Sequence, residues 1–137
     1  MATKLDYRDF KTLPELVKAV KEAGLAKNLT EARKIIAKMI PKESYFQTKI
    51  IKYLKSIDGA FVWKEQAGGG FQRNGIPDVC AVIKGRFYGF EIKRPFIGKL
   101  SEIQRYTIED INKAGGGAYV VTYVSEVEEI LWRDGVL

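Results

Sequence analysis

Apolar positions change period along this chain. Up to residue 57 they recur every three or four residues, as on one face of a helix. "TLPELVKAVKEAG" begins at Thr12, with Glu15 three residues on at capping-box spacing, and Gly24 is a natural stop. "NLTEARKIIAKMIP" predicts a second helix, capped at Asn28 or Thr30 and ended by Pro41. "ESYFQTKIIKYLKSI" predicts a third and longer one, burying Phe46, Ile50, Tyr53, Leu54 and Ile57. Glu43 and Gln47 extend that face toward the helix start, because 43, 47, 50 and 54 fall on one stripe.

Beyond residue 59 the pattern shortens to that of strands. "AFVWKE" is one strand, followed by the glycine-rich loop "QAGGGFQRNG" that carries Arg73. "GIPDVCAVIKGRFYGFEIKRP" then predicts two short strands turning at Lys84-Gly85. "LSEIQRYTIEDINKAGGG" returns to helical spacing, with Ser101 and Gln104 placed as a capping box. "AYVVTYV" is apolar on both faces, which predicts a central strand covered on both sides. "SEVEEILWRDG" is a last short helix, capped by Ser125 and Glu128. The order predicts an α/β protein with a mixed sheet flanked by helices. Residues 1–41 read as a helical extension and residues 42–137 as the main domain.

Composition narrows the chemistry. At 137 residues and 46% hydrophobic, the chain fits one soluble domain of ordinary size. No apolar run is long enough to cross a bilayer, and "MATKLDYRDFK" has no apolar signal core. A lone cysteine, Cys80, excludes an internal disulfide framework and suits a reducing cytoplasm. The absence of histidine excludes imidazole bases, His-based triads and His-ligated zinc. Catalysis would have to run on carboxylates, lysines, tyrosines or a hard metal bound by carboxylates. Residues 1–55 hold 13 Lys+Arg against 6 Asp+Glu, whereas residues 56–137 hold 10 against 11. A basic N-terminal half suits a polyanionic partner such as nucleic acid, or simply a solvated lysine-rich helical surface.

The predicted hairpin carries charge where a sheet rarely accepts it. With Lys84-Gly85 as a two-residue turn, Ile83 faces Arg86 and Asp78 faces Glu91. Directly opposed side chains share a face, with Cβ atoms roughly 4.5–5.5 Å apart. Lys93, two residues after Glu91, lies on that face as well. Two facing carboxylates repel, and a divalent cation converts the repulsion into coordination; oxygen ligands favour Mg²⁺ or Mn²⁺. The alternative is an ion pair at the sheet edge, Lys93 neutralising Glu91.

"PD" at 77–78 followed by "EIK" at 91–93 resembles the PD-(D/E)XK nuclease signature. "GIPD" is similar to the G-x-P-D form of the VRR-NUC branch. "KLSEIQRYTIEDINKAGG" looks like that branch's following helix, with Gln104 at the motif glutamine, and "ESYFQTKIIKYL" like its opening helix. The resemblance covers residues 42–124; the extension before Glu43 departs from the usual pattern.

The resemblance implies a restriction-endonuclease-like fold and hydrolysis of phosphodiester bonds. Asp78 and Glu91, with the Ile92 carbonyl, would be the metal ligands. Lys93 would orient or activate the attacking water, Gln104 would position Lys93 or the phosphate, and Glu43 would hold a metal-bound water or a second ion. Gln104 could instead only complete the Ser101 cap, and Glu43 could be a first-turn carboxylate favoured by the helix dipole. Arg73, Arg33 and Lys34 are the expected phosphate contacts. "VKAVKEAGLAKNLTEARKII" resembles the paired helices of some ribosomal-type RNA-binding domains, without the hairpin that follows there.

Stand-alone nucleases of this kind occur in phages and mobile elements, where the setting would be the host cytoplasm. The substrate implied is branched DNA such as a four-way junction, cut by a homodimer. The competing reading is a nucleic-acid-binding module with a nuclease-like fold and no turnover. The residues leave DNA against RNA open.

Overall fold

Lys84 and Gly85 both take left-handed backbone angles, φ 49° and 79°. Two consecutive residues in that region make a type I′ turn, whose twist matches that of the strands it joins. The turn sets the register of β2 (Val79–Ile83) against β3 (Arg86–Ile92): Ile83 pairs with Arg86 and Val79 with Phe90, as the two-residue turn predicts. The structure, a computed structural model, describes residues 4–65 and 73–137. Most of the glycine-rich loop expected after the first strand lies outside the described residues.

β1 (Phe61–Lys64) pairs antiparallel with β2, from Phe61 opposite Val82 to Lys64 opposite Val79. β4 (Gly117–Val121) runs parallel to β3, from Tyr88 opposite Gly117 to Ile92 opposite Val121. The four-stranded mixed sheet therefore has the order β1-β2-β3-β4. β4 is an edge strand here, not the central strand that its sequence predicts. Its neighbour β3 has its other side taken by the tight hairpin, so the crossover can only add β4 at the outside. Val120 stays 43% exposed, and the Tyr119 ring covers its own face by stacking on Phe90 at 6.3 Å.

The chain divides into two units, residues 1–42 with 94–98, and residues 43–93 with 99–137. In the first, a 3₁₀ turn (Tyr7–Asp9) leads to α1 (Leu13–Glu22) and α2 (Leu29–Met39). Thr12 Oγ1 accepts from Glu15 N–H at 3.3 Å, and Asn28 Oδ1 from Glu31 N–H at 2.9 Å, so both helices start where their caps predict. Leu16, Val20, Ala32 and Ile36 are fully buried. Arg94 closes the end of α2: Nε donates to Pro41 O at 2.9 Å, and Nη2 to Ala37 O at 2.6 Å and Ile40 O at 2.7 Å. Those are terminal carbonyls that the helix itself cannot satisfy.

In the second unit α3 (Glu43–Lys55) and α5 (Val124–Arg133) pack together, and α3 packs on the sheet. Tyr88 OH donates to Asp134 at the end of α5, which puts these helices on the face of Val79, Ala81, Ile83, Tyr88, Phe90 and Ile92. All six are at most 1% exposed. On α3 the buried set is Phe46, Gln47, Ile50 and Leu54; Tyr53 and Ile57 are only half-buried. α5 starts earlier than Ser125 and Glu128 suggest. Glu126 caps it by accepting from Thr122 N–H and Tyr123 N–H, both at 2.9 Å. α4 (Glu102–Lys113) crosses the opposite face between β3 and β4.

Gly75, before the Pro77-Asp78 step, touches α4. Its φ is 84°, and a Cβ there would lie 2.7 Å from Ile103 O and 2.9 Å from Thr107 Oγ1. Gly75→Ala is expected to cost about 1–3 kcal/mol, from the unfavourable φ and the clash together. Urea unfolding measures this; a change below about 0.5 kcal/mol would show that α4 yields without cost.

Candidate active site

The hairpin register continues one step past β2, so Asp78 stands opposite Glu91. β1 adds a third position to that row: Glu65 N–H donates to Asp78 O at 2.8 Å. Glu65, Asp78 and Glu91 thus cross three neighbouring strands on one face. Pro77 seats itself over Gly89, where a Cβ would lie 2.8 Å from its Cγ. That contact holds the chain as it enters β2 beside the carboxylates.

Glu91 is 1% exposed. Its Oε1 accepts from Gln104 Nε2 at 2.8 Å and lies 3.5 Å from Lys93 Nζ. Its Oε2 is buried and has no hydrogen-bond partner. Asp78 Oδ2 accepts from Ile92 N–H at 3.0 Å. Burial, then the negative charge of Asp78, push the Glu91 carboxyl well above the usual carboxylate range; Lys93 pulls the other way and loses. In the metal-free protein Glu91 therefore holds its proton to higher pH than an ordinary carboxyl.

Gln104 serves both of the roles weighed for it. Its Oε1 accepts from Ser101 N–H at 3.0 Å while Ser101 Oγ accepts from Gln104 N–H at 3.2 Å, closing the capping box of α4. The other end of the same amide, Nε2, reaches Glu91. Lys93 is held through its backbone: its N–H donates to Val121 O at 3.0 Å, and Thr122 Oγ1 donates to its carbonyl at 2.7 Å.

Asp78, Glu91, Lys93, Gln104 and the Ile92 backbone come together. Glu43 opens α3, where its Oε2 accepts from Gln47 Nε2 at 3.4 Å. Among the described residues no three His, Cys, Asp or Glu side chains are grouped to hold a metal ion, so neither Glu43 nor Glu65 joins the Asp78–Glu91 pair in one cluster. Arg73 has an acidic partner within the protein, Asp110 on α4 at 3.0 Å. Arg33 and Lys34 are exposed on α2, and Arg33, with Lys18 and Lys21, edges an apolar groove between α1 and α2.

Two residues of this face escape sequence reasoning. Glu65 joins the carboxylate row, and Trp63 Nε1 donates to Glu65 Oε2 at 3.0 Å. Both could have been found only from the β1–β2 register, and the loop between those strands carries no turn signal that sets it. Cys80, on the same face, is no nucleophile: burial, then the charges of Glu65, Asp78 and Glu91, push its thiol up to about 12.

No family model matches the sequence, and no curated protein matches it significantly. A solved structure described as a VRR_NUC domain shares the fold, with a TM-score of 0.54 at 23% identity, covering 65% of this chain and 92% of that one. The mixed four-stranded sheet with flanking helices is an α/β fold shared with that structure and consistent with the restriction-endonuclease-like class.

The raised Glu91 carboxyl predicts a pH effect on the metal-free protein. Above the ordinary carboxyl pKa the unfolded chain releases a proton that the folded state keeps. Stability must then fall as pH rises, until the folded state releases its proton too. The limiting slope is about 1.4 kcal/mol per pH unit. Glu91→Gln carries no such proton and should flatten the slope, leaving the variant more stable than wild type at pH 8. Urea unfolding in EDTA from pH 5 to 8 checks this; parallel slopes in both proteins would mean that Glu91 is not the group.

Proposed function

We propose that the chain is a metal-dependent endonuclease that hydrolyses phosphodiester bonds, with Mg²⁺ or Mn²⁺ as its metal. The observation that carries the reading is the buried Glu91 facing a half-buried Asp78, with an orphaned Glu91 Oε2 and Lys93 beside it. A purely structural ion pair would leave no buried carboxylate oxygen without a donor. Oxygen-only donors suit a hard divalent cation, and Asp78, Glu91 and the Ile92 carbonyl would hold it. A second contribution from Glu43 belongs to the same proposal. When bound, the metal would polarise a phosphoryl oxygen and lower the pKa of water.

The chain's own residues do the rest. Gln104 restrains Glu91 through Nε2, and the Ile92 N–H restrains Asp78, so both carboxylates are oriented before substrate arrives. The Lys93 ammonium is half-buried on a clamped strand end. It is suited to orienting the attacking water and offsetting the negative charge that grows on the phosphate.

DNA is the proposed substrate, with a branched form and a homodimeric enzyme as the finer version of the reading. The basic helices of residues 1–41 would supply phosphate contacts through Arg33 and Lys34, with Arg73 contributing once it leaves Asp110.

Asp78→Ala and Glu91→Ala should abolish cleavage in Mg²⁺ or Mn²⁺ without loss of the fold. Wild-type turnover in either variant, or in EDTA, would refute the metal assignment. Lys93→Ala should lower kcat and kcat/KM together by about 10²–10³, because charge placed for the transition state is worth roughly 3–4 kcal/mol. Single-turnover kinetics on linear, flap and four-way-junction DNA reads both. A lysine that only neutralises Glu91 predicts weaker stability and a modest rate loss instead. No cleavage of any substrate by the wild type, with binding kept, would favour the non-catalytic binding module.

Removing the extension outright would leave Arg94 without its three acceptors, so its role is better tested by charge. Replacing Arg33 and Lys34 together by alanine should reduce the slope of log K against log salt by about two. An unchanged slope would assign the helices to folding or dimerisation.

A further inference from the structure

The sheet face of Asp78 and Glu91 continues past them as an aromatic strip. Moving along the strands away from the carboxylate row, the next positions on that face are Trp63, Cys80 and Gly89, and then Phe61, Val82 and Phe87. At about 3.3–3.4 Å per residue these rows lie roughly 7 and 13 Å from the carboxylates. The Phe61 and Trp63 rings sit 5.6 Å apart, and Trp63 and Phe87 6.2 Å apart. Trp63 is oriented by its bond to Glu65, a member of the carboxylate row itself. Phe61 is 68% exposed, more than any other large apolar side chain described. Among the described residues of this unit, α4 covers the β3–β4 side of this face and α3 and α5 lie on the other face, while Phe61 on β1 is exposed.

We propose that Phe61, Trp63 and Phe87 form a stacking platform for unpaired bases of the nucleic acid being cut. The substrate class is then single-stranded or locally unpaired nucleic acid, not uninterrupted duplex. This rests on the nuclease reading of Asp78, Glu91 and Lys93. A phosphate at that row puts the flanking nucleotides over the strip, one and two steps away. In a duplex the base faces are hidden in the stack, whereas an unpaired base offers a face to an aromatic ring without regard to sequence.

Phe61 is the residue to change, because its exposure makes loss of fold the least expected outcome. The full chain in EDTA, where turnover is excluded, is titrated against a labelled 15-nucleotide oligo-dT and a 15-base-pair blunt duplex. Phe61→Ala should weaken oligo-dT binding about tenfold and duplex binding less than twofold. Phe61→Trp, which keeps a ring, should restore oligo-dT binding to within twofold of wild type. Equal weakening on both ligands, no weakening on oligo-dT, or a wild type that binds neither would overturn the platform. So would a change of oligomeric state in Phe61→Ala with the single-strand preference intact, which would make the strip a contact between copies. The nuclease reading fails separately: wild type would then show the Phe61-dependent binding yet cleave nothing when Mg²⁺ or Mn²⁺ is added.

Discussion

A carboxylate that is 1% exposed, faces another carboxylate and keeps one oxygen without a donor is an unfavourable thing for a sheet to hold. Most of the local structure can be understood as what makes Glu91 tolerable. The hairpin turn forces it opposite Asp78. The Ile92 N–H turns Asp78 partly aside, Lys93 supplies a compensating charge, and Gln104 satisfies one oxygen. None of these reaches Oε2. The unfinished shell is what separates this arrangement from an ordinary buried ion pair, in which every acceptor would find a donor.

Economy of parts is evident in α4. Its first turn needs a side chain to accept the Ser101 N–H, and Gln104 does so with its oxygen. An amide has a second end, and that end is the donor on Glu91. Glutamate at the same position would close the capping box equally well, yet would bring a third negative charge to the carboxylates. The choice of glutamine is thus set by the site and not by the helix. The same helix touches Gly75 through Ile103 and Thr107, so the approach to Asp78 and the donor to Glu91 share one rigid support.

What could be read from the sequence follows how local each determinant is. A two-residue turn makes strand pairing a matter of arithmetic, so the facing of Asp78 and Glu91 was readable, with Lys93 on the same face. Thr12 and Asn28 caps and the α3 stripe are likewise local. The errors lie where distant segments decide. "AYVVTYV" is apolar enough for a central strand, but the hairpin had already taken the inner side of β3. Ser125 looked like a cap, but Glu126 bonded the preceding amides first. Gln104 was readable as a cap or as a site residue, and only the crossing of α4 over β3 makes it both. Trp63 and Glu65 depend on how β1 pairs across a glycine-rich loop, which no local rule determines.

The step from Lys93 to Arg94 carries a consequence for how the site is built. Lys93 Nζ lies 3.5 Å from Glu91 Oε1, whereas the Arg94 side chain serves a different set of partners. Arg94 belongs with the helical extension, gripping three carbonyls at the end of α2. A peptide bond therefore joins the proposed catalytic lysine to the anchor of the extension. The Lys93 backbone is itself held: the Val121 carbonyl accepts from its N–H and the Thr122 hydroxyl donates to its carbonyl. The end of β4 and the residue after it thereby fix the chain from which the lysine reaches Glu91.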